Sequence, residues 1–144
     1  MRIIFSFLIF AVIIGCKSSE QVLQGKYESK EYSKLDMLSK HFLGYAVAMG
    51  SSLKLNKDSS FTFQTCGNDL TGNWLVSNDS LILNYNSNRW RNDSLNKNGF
   101  EGMQLSQQGT VKFKVKNSGL IRTIPARNQN DREIRIFEKL VKEK

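Results

Sequence analysis

The stretch that decides the fold runs from Leu53 to Tyr85 and reads LKLNKDSSFTFQTCGNDLTGNWLVSNDSLILNY. Apolar and polar residues alternate on either side of two polar segments, Asn56-Lys57-Asp58 and Asn78-Asp79. Alternation with a period of two is typical of strands with one face on a core and the other in water. Short Asn and Asp side chains bond to their own backbone in turns, so the stretch predicts an antiparallel β-meander.

The C-terminal third shows further strand patterns. Between Val111 and Lys116, three apolar residues alternate with three lysines. A turn at 117–119 and a returning strand follow, and we expect that strand to stop at Pro125, because proline cannot donate a ladder hydrogen bond. The last segment, beyond Asp131, fits both a strand and a helix, and its alternation at Ile134 and Ile136 favours the strand.

The spacing of strands and turns indicates one architecture. Short strands recur about every 8 to 12 residues, which is typical of a small antiparallel barrel or sandwich. Gly25-Lys26-Tyr27 opens the first strand, and its glycine permits close approach where a sheet closes on itself. We therefore predict an all-β fold: an up-and-down β-barrel of seven or eight strands in residues 25–144. Large inward residues, among them Phe61, Phe63, Trp74 and Phe113, are expected to fill it.

A helix is predicted before the meander. Leu35, Leu38, Phe42 and Leu43 fall at helical spacing between Glu31 and Leu43 and define an apolar face. We expect this short helix to plug one end of the barrel. It contains His41, the sole histidine, which lacks a neighbouring ligand residue and is predicted to be solvated or packed.

The segment from Asn84 to Gly102 is dominated by polar residues and predicts a long loop. It contains Arg89-Trp90-Arg91, where aromatic surface and positive charge stand side by side. Arg and Trp dominate many binding surfaces because each offers a large contact area and a donor. Arg89, Trp90 and Arg91 are therefore the candidate contact for a ligand or partner, and the alternative is that Trp90 caps the barrel.

The N-terminus predicts an exported, lipidated protein. After Arg2, an apolar run from Ile3 to Ile14 has the length of a signal peptide and is too short to span a bilayer. Ile13-Ile14-Gly15-Cys16 resembles a bacterial lipoprotein box, which implies a signal peptide at 1–15, covalent lipid on Cys16 and a tether at 16–24. Lys17 is not the Asp that retains enteric lipoproteins in the inner membrane, so the outer membrane is favoured.

Charge and cysteine content narrow the possible partners. Lys and Arg number 21 against 13 Asp and Glu, a net charge of +8, which favours anionic partners such as lipid headgroups. Export argues against nucleic acid. The lysines Lys112, Lys114 and Lys116 fit either headgroup docking or a solvated edge strand that prevents aggregation. With Cys16 lipidated, Cys66 has no partner for a disulfide and is expected to be a small buried residue at a strand end.

Most of residues 25–139 resembles the small lipocalin-like lipoproteins of Bacteroidetes and is similar, more distantly, to the envelope-stress and copper-homeostasis lipoproteins. The Cys-x-x-Cys of the copper-linked group is missing around Cys66. The resemblance implies a fold rather than a ligand. It rests on Gly25-Lys26-Tyr27, Leu53-Lys54-Leu55, Asp58 with Phe61-Thr62-Phe63, Gly72-Asn73-Trp74, Asp79 to Leu83 and Ile136 to Lys139.

Catalytic motifs are missing from the sequence. It has no Gly-x-Ser-x-Gly elbow, no phosphate-binding loop and no His-Cys ligand set, so we expect no enzyme, no metal and no cofactor beyond the lipid on Cys16. Two function classes remain. One is a non-enzymatic interaction or structural module of the envelope, and the other is a binding protein for a small apolar or amphipathic ligand held in the barrel.

Overall fold

A computed structural model describes residues 22–98, 105–117, 119–127 and 131–144 of the chain. Within these ranges the chain forms nine strands and two helices. The helices are α1, Lys34–Phe42, and α2, Asp93–Asn98. The strands are β1 Gly25–Ser29, β2 Tyr45–Val47, β3 Ser52–Leu55, β4 Ser60–Gln64, β5 Asn68–Ser77, β6 Ser80–Trp90, β7 Gly109–Lys116, β8 Gly119–Arg127 and β9 Glu133–Lys142.

Eight of these strands close into an antiparallel up-and-down barrel. The order is β1-β3-β4-β5-β6-β7-β8-β9, and β1 pairs back onto β9. The short strand β2 lies parallel to β9, beside the part of β9 that β1 does not reach. The predicted small all-β barrel with a short helix near the N-terminus is thus confirmed, and α2 is an element that the sequence pattern did not predict.

The barrel has two ends of different construction. At the first, which we call the entry end, β1 begins, β9 finishes, and tight turns join β3 to β4 and β5 to β6. At the second, the helix end, lie α1, α2 and the connection between β4 and β5. The chain therefore enters the barrel at one end and places both helices at the other.

The turns of the predicted meander form as the sequence indicates. Asp58 Oδ1 accepts a hydrogen bond of 3.0 Å from the backbone N–H of Ser60, which closes the β3–β4 turn. Asn78 adopts a positive φ of 54° between β5 and β6, a conformation that Asn tolerates better than most residues. Hydrogen bonding to Ser60 also lowers the pKa of Asp58, because it stabilises the carboxylate. Local turn chemistry thus fixes the register of both hairpins.

The interior at the entry end, which we call the packed half, is filled by the predicted aromatic residues. Phe61, Phe63 and Phe113 are at most 2% exposed, and the Phe63 and Phe113 rings meet edge to face at 5.7 Å between centroids. Trp74 is 4% exposed and donates its indole N–H to Asn56 O. Burying such rings is the largest favourable contribution that a barrel of this size contains. The core also includes Tyr27, Leu53, Leu55, Leu70, Leu81, Leu83, Leu120 and Leu140.

Glycine meets two steric needs in the sheet. Gly25 has a φ of 134° where β1 closes against β9, and a Cβ there would lie 2.8 Å from the Lys142 side chain. Gly72 lies at the register shift between β5 and β6, where a Cβ would lie 2.7 Å from Tyr85 Cα. At Gly25 the positive φ is the main requirement for glycine, because the end of the Lys142 side chain could move aside. Gly72 permits the close approach of β6, which carries the extra residue Asn86 at the register shift.

Three sequence expectations about the strands are wrong. Asn84 to Trp90 belongs to β6 rather than to a long loop, because its polar residues pair with β5. Pro125 does not stop β8, which runs to Arg127. Beyond Ile121 the described residues of β8 pair with β9 alone, so a residue without an N–H is tolerated. The strand β7 is not an edge, since it pairs with both β6 and β8.

Candidate functional site

The helix α1 does not plug the barrel, which corrects the sequence expectation. It begins after Ser33, whose Oγ accepts a hydrogen bond from Asp36 N, and none of its residues is buried. Lys40 faces the sheet, with its Nζ 3.8 Å from the centre of the Phe137 ring. The apolar face points to solvent instead: Leu35, Leu38, Phe42 and Leu43 are 78%, 52%, 81% and 70% exposed.

An open pocket lies beside the end of this helix. Its volume is about 620 Å³, and its lining includes Leu43 and Gly44, which follow α1, together with Ala126 and Ile134 of β8 and β9. Leu43 belongs both to the pocket and to the exposed apolar surface of the helix. The lining also includes Pro125 and three charged residues, so the exposed apolar face of the helix ends at a pocket of mixed polarity. The charged residues are Arg127, Glu133 and Arg135.

Below this pocket, the inner faces of β8 and β9 form what we call the open half of the interior. Side chains two residues apart share a face of a strand, so the inner face continues from the buried Leu120 and Leu140 toward the pocket. Unlike those leucines, the inner-facing residues of the open half are partly exposed. They are Ile124, Ala126, Ile134 and Ile136.

An ion pair separates the two halves of the interior. Arg122 Nε donates to Glu138 Oε2 across β8 and β9, and the two side chains are 16% and 1% exposed. The guanidinium carbon lies 5.0 Å from the centroids of both Phe63 and Phe113. Glu138 Oε1 has no hydrogen-bond partner among the described residues. The floor of the open half is therefore charged, nearly dry and incompletely bonded.

The opposite wall of the helix end is polar. Asn88 is 7% exposed and accepts a 2.5 Å hydrogen bond from Asn68 Nδ2, while its own Nδ2 donates to Ser106 O. Thr65 Oγ1 donates to Asn68 Oδ1 at 2.5 Å and extends this network. These amide groups bond to one another and to the backbone, so they define the shape of the wall. The charged floor differs because it keeps an unbonded polar atom, Glu138 Oε1.

Arg89, Trp90 and Arg91, the predicted contact site, are consecutive in sequence but differ in their surroundings. Arg91 folds back, donating from Nη1 to Thr65 O at 3.2 Å and lying 3.8 Å from Asp69. Trp90 is half-buried, and its backbone is held by the Asn96 side chain. Arg89 is exposed on the outer face. The structure thus brings them to the helix end, with Arg91 occupied in holding the β4–β5 connection.

The structure also shows the positions of two other residues singled out in the sequence, Cys66 and His41. Cys66 is exposed in the β4–β5 connection, so the expectation of a buried thiol is wrong. His41 is exposed on α1, as expected for a solvated histidine. Among the described residues, no three His, Cys, Asp or Glu side chains are grouped to hold a metal. Signal peptide, Cys16 and the first part of the tether lie outside the described residues.

Within the ranges described, neither helix has the length and apolarity needed to cross a bilayer. No protein family matches the chain, and comparisons with curated proteins and with solved structures find no match either.

Sequence reasoning missed Arg122 and Glu138, although a signal was present. Each stands in the inward phase of an alternating strand, between Leu120 and Ile124 or between Ile136 and Leu140, where an apolar residue is the rule.

Proposed function

We propose that the protein is a lipid-anchored, non-catalytic interaction module of the cell envelope that presents its helix end to a partner protein. The observation that carries this proposal is the outward-facing apolar surface of α1, at the end of the barrel opposite to the one where the chain enters. The resemblance to envelope lipoproteins and to a lipoprotein box at Cys16 supports the proposed location in the cell envelope.

The entry end is the side that an anchor on Cys16 would hold near the membrane. Lys142 Nζ donates to Val22 O, and Tyr27 Oη donates to Leu23 O, so the residues before β1 are tied to this end. From Cys16 to Val22 an extended chain spans at most about 20 Å. Several exposed lysines of this end would face anionic headgroups: Lys26, Lys54, Lys57, Lys114, Lys116 and Lys142.

The helix end would then point away from the membrane. Strands of eight to eleven residues separate it from the entry end, a distance of roughly 25 to 35 Å along a strand. With the entry end at the membrane, the apolar helix face would lie on the far side of the barrel from the anchoring bilayer. Its chemistry fits an apolar groove on another protein, which would receive Leu35, Leu38 and Phe42 at helical spacing.

Site-specific photocrosslinking tests the partner. A photoreactive residue is placed at Leu38, at Phe42 or, as a matched control, at Leu75, an apolar residue of β5 that is 41% exposed near the entry end. We expect positions 38 and 42 to give an adduct with the same discrete protein and position 75 to give none. Adducts with lipid at positions 38 and 42 would instead make the helix a membrane contact and overturn the proposal.

Metabolic labelling tests the anchor separately. Wild-type chain should incorporate labelled palmitate, whereas Cys16→Ala should not, because the lipid is attached to that thiol. Cys66→Ala serves as the matched control, since Cys66 is the other cysteine of the chain and should remain dispensable for labelling. A wild-type chain without label would remove the anchor from the proposal.

A small amphipathic ligand is the second candidate function. The observation that favours it is the pocket of about 620 Å³ at the mouth of the open half. Ligand pockets combine apolar surface with polar groups that fix orientation, and this pocket offers both apolar and charged residues. The two functions share one end of the molecule, although they use different surfaces of it.

A further inference from the structure

The Arg122–Glu138 pair leaves hydrogen-bonding capacity unused on both partners. Glu138 Oε1 is buried without a partner among the described residues, while Oε2 accepts from Arg122. A guanidinium carries five N–H donors, and the hydrogen bond to Glu138 engages Nε. An unbonded carboxylate oxygen in an apolar interior is unfavourable, so a donor that reaches Oε1 is stabilised there.

One member of this pair is partly accessible to solvent. Within the described residues, the β7–β8 ladder ends at the pair Lys114–Ile121, whereas the β8–β9 ladder continues to Arg127–Glu133. Arg122 is the first residue beyond that point. Although Arg122 faces the interior, 16% of its side chain is exposed, so solvent reaches part of this side chain.

The wall between the pair and the pocket is apolar. Ile124 stands opposite Ile136, and Ala126 stands opposite Ile134, on the inner face that carries Arg122 and Glu138. Ile134 is the second inner-facing residue of β9 from Glu138, which is about 13 Å along a strand. The result is an apolar wall that ends at a pair with no net charge, which has an unbonded acceptor and unbonded donors among the described residues.

We propose that the open half binds an uncharged amphipathic molecule, whose hydroxyl or carboxamide group bonds to Arg122 and Glu138 and whose hydrocarbon part lies along Ile124, Ile134 and Ile136. A hydroxyl or carboxamide both donates and accepts, as the free Glu138 oxygen and the free guanidinium donors require. The pair has no net charge, so an ionic headgroup would be buried without compensation. This inference rests on the second candidate function and is independent of the partner of α1.

Calorimetry with a matched set of probes tests the proposal. The full-length protein in lipid nanodiscs is titrated with 1-octanol, octanamide, octanoate, octylammonium and octane, and empty-nanodisc titrations are subtracted. We expect saturable binding of 1-octanol and octanamide, with each charged probe and octane weaker by about tenfold or more. Equal binding of octane and 1-octanol, or no saturable binding of any probe, would contradict the proposal; in the second case, water alone satisfies Glu138.

Two charge variants sharpen the test. Glu138→Gln leaves the Arg122 cation, so octanoate should gain affinity over octylammonium; Arg122→Gln leaves the carboxylate, so the order should invert. Asp79→Asn is the control, because it removes the same charge from the exposed Lys114–Asp79 pair. Unchanged selectivity in both variants, once circular dichroism shows that they fold, would refute the assignment. If neither variant folds, the titrations of the wild-type protein with the probe set test the proposal alone.

A surface variant separates this inference from the proposal about α1. Leu35→Ser/Leu38→Ser/Phe42→Ser removes the exposed apolar face without touching the inner face of β8 or β9. It should abolish the crosslinked adduct and retain 1-octanol affinity within about twofold. Loss of 1-octanol affinity in this variant would place the ligand on the helix rather than in the barrel.

Discussion

The packed half and the open half of this barrel are built from the same strands but differ in how their inner positions are used. In the packed half, the inward residues Phe61, Trp74 and Leu81 are at most 4% exposed. In the open half, inward residues such as Ile124 and Ile136 remain partly exposed. The centre of the packed half is thus fully buried, with the partly buried Val76 and Val115 at its outer end, whereas the inward residues next to the charged pair are partly exposed.

Unsatisfied polar atoms follow the same division. Among the described residues, the buried side-chain atoms without a hydrogen-bond partner are Tyr32 Oη, Asp69 Oδ1 and Glu138 Oε1. Tyr32 precedes α1, Asp69 is the second residue of β5 at the helix end, and Glu138 forms the boundary between the halves. Because unsatisfied groups reduce stability, their concentration toward one end is expected of a binding region rather than of a folding core.

The largest expected effect is the loss of an aromatic residue from the packed half. Trp74→Ala should lower the free energy of unfolding by roughly 3 to 5 kcal/mol, because it removes a buried indole and leaves a cavity. Trp90→Ala, at the half-buried position of the helix end, should cost well under half as much. Denaturant titration followed by circular dichroism compares the two, and equal costs would erase the distinction between the halves.

We expect the intact Arg122–Glu138 pair to add little to the free energy of unfolding, although removing one of its partners should lower that free energy substantially. Arg122→Met should destabilise the fold by about 3 kcal/mol, because it leaves Glu138 buried without a counter-charge. The double variant Arg122→Met/Glu138→Met should recover most of that loss, since an apolar pair suits the surrounding rings. A double variant as unstable as the single one would show that the pair is a structural requirement instead of a binding feature.

The stability of the fold should depend on pH through Tyr27, which is buried at the entry end. Burial raises the pKa of Tyr27 to about 12 from its ordinary value of 10, because the phenolate is excluded from water. The neutral form is thus favoured in the folded state, so this stability is complete below pH 10 and is lost as pH rises from about 10 to 12. Urea midpoints across this range, compared with those of Tyr27→Phe, measure a loss on the order of 2 kcal/mol. Identical pH profiles for both proteins would show that Tyr27 is open to water.

The smallest effect is expected on the outer surface of the helix end. The variant Leu35→Ser/Leu38→Ser/Phe42→Ser removes side chains that are exposed, so the free energy of unfolding should change by less than about 1 kcal/mol. Thermal unfolding provides the measurement, with Leu75→Ser as the comparison. A loss of several kcal/mol would mean that α1 packs onto the barrel in solution, as the sequence pattern alone suggests.

The sequence predicts the packed half far better than the open half. Alternation in Phe61-Thr62-Phe63 and turn residues such as Asp58 act locally, so the meander can be recognised without knowledge of its neighbours. Asn84 to Trp90 was not recognised because its inner position, Asn88, is satisfied by Asn68 and Ser106 instead of by apolar packing. A strand that lines a polar wall lacks the apolar alternation by which strands are detected.

The site depends on relations that no local pattern contains. Arg122 and Glu138 are 16 residues apart, and the pairing register of β8 and β9 brings them together. The helical period of α1 predicts the helix, but not the side that it turns toward the barrel. That side is set by how the chain passes from β1 to β2, which is a property of the whole topology.

In the proposed binding mode, ligands enter this barrel at the helix end and stop at the Arg122–Glu138 pair. Residue-resolved NMR of the nanodisc-bound protein during a 1-octanol titration tests it most directly. We expect saturable shifts of the Arg122 Nε–H signal and of the Ile124 and Ile136 amide signals, while the Val76 and Ser77 amide signals near the entry end stay unchanged. Shifts confined to Val76 and Ser77, or spread evenly over the barrel, would contradict it.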